Sequence, residues 1–451
     1  MNNSRWATIE EFKDQLKKAN GKERLEKSGI PMMFKDEDIY IDSSSAHNLI
    51  IGSTGSGKTQ SMILPMLKFA INAQESFLIT DGSGEIYQRM ARKLKEESYN
   101  VIAINMDNPN VGDSWNPLEL PYKLYKKNEI DKSLEIIEDI GYYLFYSKIE
   151  NTDPFWINAT INYFSGLVLY LFENAEAEEI NLTSVGKLAN TLNEKGTSEK
   201  FLEKLSKDSN IFLKVSGTLK APPETRGSII AVFNEKFEKY LSRKNLEDML
   251  STSNFDITKI PSEKTAIFLI YGMNSNSSNL IPLFTNQIID TIAIYGNREK
   301  RFNVLLDEFD SLIPIKDFAR KLNYSRTLNI RITATVQSYI HLLNLYSKEE
   351  TEILKMCFGN IIYLLSEDIY TLEEISKKCG SYMKDNQEYP LITISDLKTM
   401  HTFEAIILKI RMLPFKTKLL PDYKIDWGYE VEEERLLERQ KNTIKVYQEN
   451  F

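Results

Sequence analysis

Residues 47–61, HNLIIGSTGSGKTQS, carry the residue types that hold phosphate. Gly52-Ser53-Thr54-Gly55-Ser56-Gly57-Lys58-Thr59 fits the pattern G-x-x-x-x-G-K-[ST] in full. Glycines let backbone N–H groups turn inward around an anion, and the N-terminus of a following helix adds positive potential. A lysine at position 58 reaches β- and γ-phosphates, and a threonine hydroxyl at 59 ligates Mg²⁺. The apolar run before the loop reads as a buried strand and the segment after it as a helix, which is the context such a loop requires. Pro65 falls early in that helix and is expected to kink it.

A second cluster of chemical groups ends the apolar run FNVLLDEFD, 302–310. Asp307 and Glu308 then stand at the C-terminal edge of a sheet, where ligands of parallel sheets bind. There Asp307 is suited to hold Mg²⁺ through water, and Glu308 to orient and deprotonate an attacking water. Lys58 and Asp307 lie 249 positions apart, far more than a crossover between neighbouring strands needs. A domain must therefore be inserted into the nucleotide core. Small nucleotide kinases and GTPase switches keep these elements closer, whereas RecA-like motor ATPases tolerate such insertions.

The elements that position these groups follow from periodicity. NLIIG, SFLITDG (76–82) and NVIAINM (100–106) are short apolar runs bounded by turn residues. A helical pattern, EIYQRMARKLKEES, separates the last two, and this strand–helix–strand pitch argues for a parallel sheet. From about 119 to 258 apolar residues recur at three- and four-residue spacing with no strand signal, an all-α insert. Strand-like runs resume at 265–272, 302–308, 330–335, 360–366 and 403–410. The expected architecture is an α/β RecA-like P-loop core with a parallel-rich sheet and an inserted all-α domain. Its parts are an N-terminal segment (1–44), a core in two pieces (45–118 and 259–424), the insert (119–258) and a charged C-terminal helix (425–451). Thr8 and Glu11 form a capping-box pattern opening a helix over 8–19.

Composition narrows the class. A chain of 451 residues that is 42% hydrophobic and 27% charged is ordinary globular material. Its net charge of −8 gives no global attraction to nucleic acid, so any contact with a polyanion needs a local basic lining. Two cysteines, Cys357 and Cys379, and three scattered histidines exclude a zinc module or a disulfide scaffold, which suits a reducing cytoplasm. The most apolar stretch, 155–172, is interrupted by Asn158, Thr160, Asn162 and Ser165 and reads as a buried helix with Phe155 and Trp156 in the core. Lys214, Lys220, Arg226, Arg243 and Lys244 either face DNA or form a solvated surface. Glu430 to Glu438 read as a solvated terminal helix, and His47 as a turn residue.

Several segments together resemble the type IV secretion coupling proteins, the TraG/TraD-type ATPases of conjugation. SRWAT (4–8) resembles the segment after that family's membrane anchor, TDGSGEIYQ (80–88) its Asp-Pro-Lys-Gly-Glu-Leu-Tyr stretch and SWNPLE (114–119) its Asn-Pro-Leu motif. DPFWINAT (153–160) resembles the opening of its all-α domain, and residues 305–338 its Asp-Glu-Phe, arginine and glutamine-serine block. The chain departs from the family at Ile313, where a glycine is usual, and at Leu328-Asn329, where an Arg-Gly pair is usual. The resemblance implies ATP and Mg²⁺ as ligands, Gln337 as γ-phosphate sensor and Arg326 as a residue reaching a neighbouring subunit's nucleotide. It further implies a hexamer, single-stranded DNA or a relaxase–DNA complex as cargo, channel components as partners, and a place in the cytoplasm at the inner face of the cell membrane. Met1 falls where the family's anchor ends, so the anchor is expected to be missing from this chain or supplied separately. Two rival readings are another hexameric DNA translocase, of septal or archaeal type, and a nucleotide-switched docking receptor for secreted proteins.

Overall fold

The computed structural model describes residues 4–147, 153–272, 278–297 and 299–449. The chain divides into two compact units. One comprises Met1–Val101, Ile260–Met273 and Ile292–Arg435, the other Ile102–Lys259, Asn274–Thr291 and Leu436–Phe451.

The first unit is built on sheets. A small antiparallel sheet, order β1-β3-β2, joins β1 (Lys17–Ala19), β2 (Ile30–Lys35) and β3 (Asp38–Asp42). The strands of the large sheet are β4 (Asn48–Gly52), β5 (Ser76–Asp81), β6 (Asn100–Asn105), β7 (Thr265–Ile270), β8 (Phe302–Leu306), β9 (Ile330–Val336) and β10 (Asn360–Leu365). After an exposed hairpin of β11 (Ser381–Lys384) and β12 (Gln387–Pro390), β13 (Glu404–Lys409) and β14 (Phe415–Lys418) complete it. The order is β14-β13-β10-β4-β9-β8-β5-β7-β6. From β10 to β7 the pairs are parallel, while β13 and β14 add antiparallel at one edge. β6 begins in this unit and carries the chain into the next. Burial explains the run of strands: β4, β7, β8 and β9 are buried at every residue, so they read as unbroken apolar runs rather than alternating ones.

Two expectations change here. The capping box is present, with Glu11 N–H donating to Thr8 Oγ1 and Thr8 N–H to Glu11 Oε2, but the helix ends at Lys13. Lys17–Ala19 instead pairs with Ile39–Ile41, because a strand partner satisfies backbone that a short helix leaves open. His47 is no surface turn residue: it is 1% exposed and both ring nitrogens are bonded.

The second unit is helical, and among the described residues no strand forms between Asn105 and Thr265. Its central helix, Pro154–Asn174, packs against Ile130–Phe145, Asn210–Leu219 and Pro223–Leu241. Rings of Phe145, Phe164, Phe233 and Phe237 meet at centroid distances of 4.9–6.1 Å. Among the described residues this helix alone is long and apolar enough to cross a membrane, yet 61% of its most apolar window is buried within the fold. Its first turn is outside the core: Phe155 is 50% exposed, contrary to the expectation for an aromatic at helical spacing, because it lies N-terminal to the packed stretch that starts at Thr160.

The charged C-terminal segment is not a helix. Residues 429–449 run extended, and their backbone groups bond to the body of the protein instead of to each other. In the first unit Glu434 N–H donates to Gln88 C=O at 2.8 Å. In the second, Leu437 C=O accepts from Gly112 N–H, Arg439 N–H donates to Asn110 C=O, and Asn442 N–H donates to Asp248 Oδ1. Arg439 also pairs with Asp248 at 2.6 Å, both nearly buried. Bonds every two to three residues, at Glu434, Leu437, Arg439 and Asn442, hold an extended conformation that outweighs the helix propensity of the glutamates.

Candidate nucleotide site

The glycines of the loop after β4 are explained by the backbone they must adopt. Gly55 and Gly57 have φ of +80° and +90°, a region L-residues enter at a cost of roughly 1–2 kcal/mol. At Gly55 a Cβ would meet nothing, so backbone conformation alone asks for glycine. At Gly57 a Cβ would also stand 2.8 Å from Phe403 Cε1. Ser56 is buried, with its Oγ against Gly52 and no hydrogen-bond partner among the described residues. Thr59–Ile63 forms a π-helical turn that passes into the α-helix Leu64–Asn72. Pro65 therefore sits in the first α turn, where its missing N–H is tolerated, and the irregularity precedes it.

The pocket above this loop has a volume of about 400 Å³. Ser53, Thr54, Gly55, Gly57, Lys58 and Thr59 line one side, and Asp307, Glu308, Asp310, Thr335 and Gln337 the other, with Thr402 and Phe403 at its rim. Strand order produces this convergence: β9 lies between β4 and β8, so the C-terminal ends of all three open into one crevice.

Within the pocket the charges are arranged against burial. Lys58 Nζ donates to the carbonyls of Gly52 and Ser53, and its pKa is lowered by burial, opposed by Asp307, Asp310 and Glu308. Asp307 Oδ1 accepts from Thr335 Oγ1 at 2.6 Å, and the same Oγ1 accepts from Glu308 N–H at 2.9 Å. Burial raises the pKa of Asp307, and burial followed by the nearby Asp307 charge raises that of Glu308. Glu308 has φ +52°, a left-handed conformation for a non-glycine residue, and such strain concentrates at working sites. A Cβ on Gly82 would lie 3.3 Å from Glu308 Oε2, which places the loop after β5 beside that carboxylate. That loop is held by Asp81, whose two oxygens accept from Gly84 and Tyr87 N–H, and whose pKa burial lifts to about 6.

Some participants carry no motif signal. Asp310 accepts from Gln337 N–H at 2.7 Å and contacts His341 Nδ1 at 2.8 Å, while its Oδ1 has no hydrogen-bond partner among the described residues. The third carboxylate in DEFD is the clue that could have flagged it. Phe403, at φ +70°, looks in sequence like the start of β13. Arg326, by contrast, does not line this pocket. It is exposed, caps the helix Phe318–Ser325 and precedes the N-terminal end of β9, whereas the pocket lies at the C-terminal end. Asn329 takes φ +57°, the conformation that suits the glycine usual there in the resembling family.

The candidate DNA-facing cations divide. Lys214 pairs with Glu138 at 2.5 Å, and Arg226 donates to Ser198 Oγ and Leu192 C=O, so both are engaged within the helical unit. Lys220 is exposed beside the Phe212 ring, and exposed Arg243 and Lys244 border a cavity of about 220 Å³ with Asp107 and Pro109.

Sheet order, loop and paired carboxylates together define a P-loop NTPase of the RecA-like type that carries a helical unit. The chain belongs to the family described as Type IV secretory system Conjugative DNA transfer, which it matches over residues 5–407. Among solved structures it is similar to the bacterial conjugative coupling protein TrwBdeltaN70, at 13% identity with 93% of each chain covered and a TM-score of 0.70. It is equally similar to plasmid coupling protein TrwB in complex with ADP and Mg²⁺, at 14% identity, 98% and 96% coverage and a TM-score of 0.70. VirB4 of Thermoanaerobacter pseudethanolicus follows at 11% identity, 88% and 98% coverage and a TM-score of 0.53. At these identities the likeness establishes the fold. No curated protein matches the sequence.

Proposed function

We propose that this chain is a Mg²⁺-dependent ATPase that couples hydrolysis to the delivery of DNA, or of a DNA–protein complex, into a type IV secretion channel at the cytoplasmic face of the membrane. The observation that carries the reading is the single crevice in which Lys58, Thr59, Asp307, Glu308 and Gln337 converge. Family membership supplies the cargo class, and a related coupling protein has been seen with ADP and Mg²⁺.

The residues fit these ligands. Among the described residues no group of three or more His, Cys, Asp or Glu forms a metal cluster. A Mg²⁺ shared by one hydroxyl, one carboxylate and the nucleotide's own phosphates needs none, and Thr59 with Asp307 supplies the protein's share. Bound there, the ion contributes positive charge against the phosphates. Lys58 exchanges its two carbonyl partners for β- and γ-phosphate oxygens, and the loop N–H groups hold the chain of phosphates. Glu308, with a raised pKa, accepts the proton of the attacking water. Gln337, whose N–H is fixed by Asp310, contacts the γ-phosphate.

Arg326 serves the neighbouring subunit. β9 is seven residues, about 23 Å long, so Arg326 is at the far end from its own pocket and free to act across an interface as an arginine finger, worth roughly 10³–10⁵ in rate. In a hexameric ring each site is then completed by the next copy.

The test is ATP hydrolysis by the full chain, with and without single-stranded DNA, across a protein concentration series. Specific activity is expected to rise with concentration and with DNA. Lys58→Ala and Arg326→Ala are each expected to be inactive, and their mixture to recover activity because each supplies what the other lacks. Turnover that persists in Lys58→Ala would refute the nucleotide site. Turnover independent of DNA would favour a nucleotide-switched receptor.

A further inference from the structure

His47 stands immediately before the P-loop strand, yet its ring bonds point to two other elements. Nδ1 lies 3.0 Å from the N–H of Ile332 in β9, which makes it an acceptor. Nε2, 2.7 Å from Leu322 C=O, must then carry the proton and donate. Leu322 belongs to the helix Phe318–Ser325, and Arg326 is the residue four positions on. In a continuing helix Arg326 N–H would bond to that carbonyl, but here it points to Tyr324 C=O. The imidazole thus caps a helix-end carbonyl that the turn at Arg326 has released. His47 C=O meanwhile accepts from Asn360 N–H at 3.2 Å at the start of β10. One side chain therefore fastens the base of the P-loop strand to β9 and to the helix end from which Arg326 projects.

We propose that His47 is a positioning residue for the reaction: its neutral, two-ended imidazole sets where Arg326 is presented to the neighbouring subunit's nucleotide. The proposal rests on the reading of Arg326 as a residue acting in trans. The bonding pattern requires one donor and one acceptor, which only the neutral ring offers. Burial supports the same state, holding the ring's pKa down at about 4 with the Arg326 and Arg331 charges nearby. Because His47 directly precedes β4 in the chain, the linkage gives a route from a subunit's own phosphate loop to the arginine it lends its neighbour.

Mixing separates this role from a general structural one. His47→Leu fills a similar volume without either bond, whereas His47→Gln retains an acceptor and a donor on one amide. In the full chain, at concentrations where wild type is assembled and with single-stranded DNA present, His47→Leu is expected to bind a fluorescent ADP analogue within about twofold of wild type while its turnover falls tenfold or more. His47→Gln is expected to keep at least half of wild-type turnover. Mixed with Lys58→Ala, which has an intact arginine but no working site, His47→Leu should regain activity. Mixed with Arg326→Ala it should not, since both lack the arginine's contribution.

Recovery with Lys58→Ala but not with Arg326→Ala supports the proposal. Full activity of His47→Leu, or weakened nucleotide binding with no recovery in either mixture, overturns it. Should His47→Leu fail to fold, His47→Gln decides: turnover tenfold below wild type with nucleotide affinity intact overturns the proposal, and near-normal turnover supports it. The Arg326→Ala and Lys58→Ala mixture is the control. If that pair does not complement, the trans-acting arginine itself is refuted, an outcome distinct from failure of His47 alone.

Discussion

Removing the carboxylate of Asp422 should destabilise the nucleotide unit far more than loss of a surface ion pair. Lys68, on the helix that follows the phosphate loop, lies 2.9 Å from Asp422, and both side chains are only 3% exposed. Exposed pairs contribute about 0–1 kcal/mol, but breaking a buried pair from one side costs roughly 3–5 kcal/mol because a charge stays behind without its partner. Some of that loss is moderated: the Lys68 ammonium also stands 5.0 Å from the Trp427 ring centroid, a contact worth about 0.5–2 kcal/mol. For Asp422→Ala we expect a loss of about 3 kcal/mol, which for a unit of this size lowers Tm by roughly 6 °C.

The pH dependence has a definite sign. Burial depresses the Lys68 pKa below its ordinary 10.5, and Asp422 opposes the shift. Between the depressed value and 10.5 the unfolded chain holds the extra proton, so stability rises with pH in that alkaline window. Without Asp422 the window widens downward, and the variant should recover part of its deficit as pH rises where wild type changes less. Lys68→Met combined with Asp422→Leu should be near neutral or more stable than either single variant. Urea unfolding of Asp422→Ala, of the Lys68→Met and Asp422→Leu singles and of their double reads all of this. A single-variant loss under 1 kcal/mol, or a double variant as unstable as the sum of the singles, would refute the argument.

Glu308→Gln should still bind ATP and Mg²⁺ but turn over about 10²–10⁴-fold more slowly; the wild-type rate should climb with pH through the raised Glu308 pKa, and that limb should vanish in the variant. Gly57→Ala should weaken nucleotide binding by tenfold or more in a titration, since a Cβ there adds left-handed strain to a 2.8 Å approach to Phe403. Binding of single-stranded DNA should be steeply salt-dependent. With Lys220, Arg243 and Lys244 exposed, about three phosphates neutralised per subunit give a logarithmic slope near −2, or roughly a 20-fold loss between 50 and 200 mM salt. Salt-independent binding would rule out that surface.

Much of the large sheet is legible in the sequence because its central strands are buried on both faces and read as bounded apolar runs. The edge strand Phe415–Lys418 and the separate exposed hairpin Ser381–Pro390 are not: they carry little hydrophobic pattern and exist through pairing. The same reason hid β1 and turned the C-terminal segment into an expected helix, since its conformation is dictated by bonds to Gln88, Asn110 and Asp248 rather than by local preference. In the site, the loop and Asp307-Glu308 announce themselves by local spacing. Thr335 and Phe403 become partners only through the fold, with nothing next to them in sequence to mark the fact, whereas Asp310 is signalled only as the third carboxylate of DEFD. His47 shows the limit most sharply, because its bonds reach residues 275 and 285 positions away.

The position of β4 has a consequence for how the protein comes into being. This strand is synthesised long before its two sheet neighbours, since β9 and β10 emerge about 280 and 310 residues later. At a synthesis rate of about 5–20 residues per second, Leu49, Ile50 and Ile51 wait roughly 15–60 s for the edges they will pair with. During that interval the helices of the second unit can form on the ribosome, all but its last piece, Leu436–Phe451, while the nucleotide sheet remains open. Nascent chains halted before residue 330 should therefore be bound by chaperones through the segment around β4, and truncated forms ending there should aggregate although every residue of the phosphate loop is present.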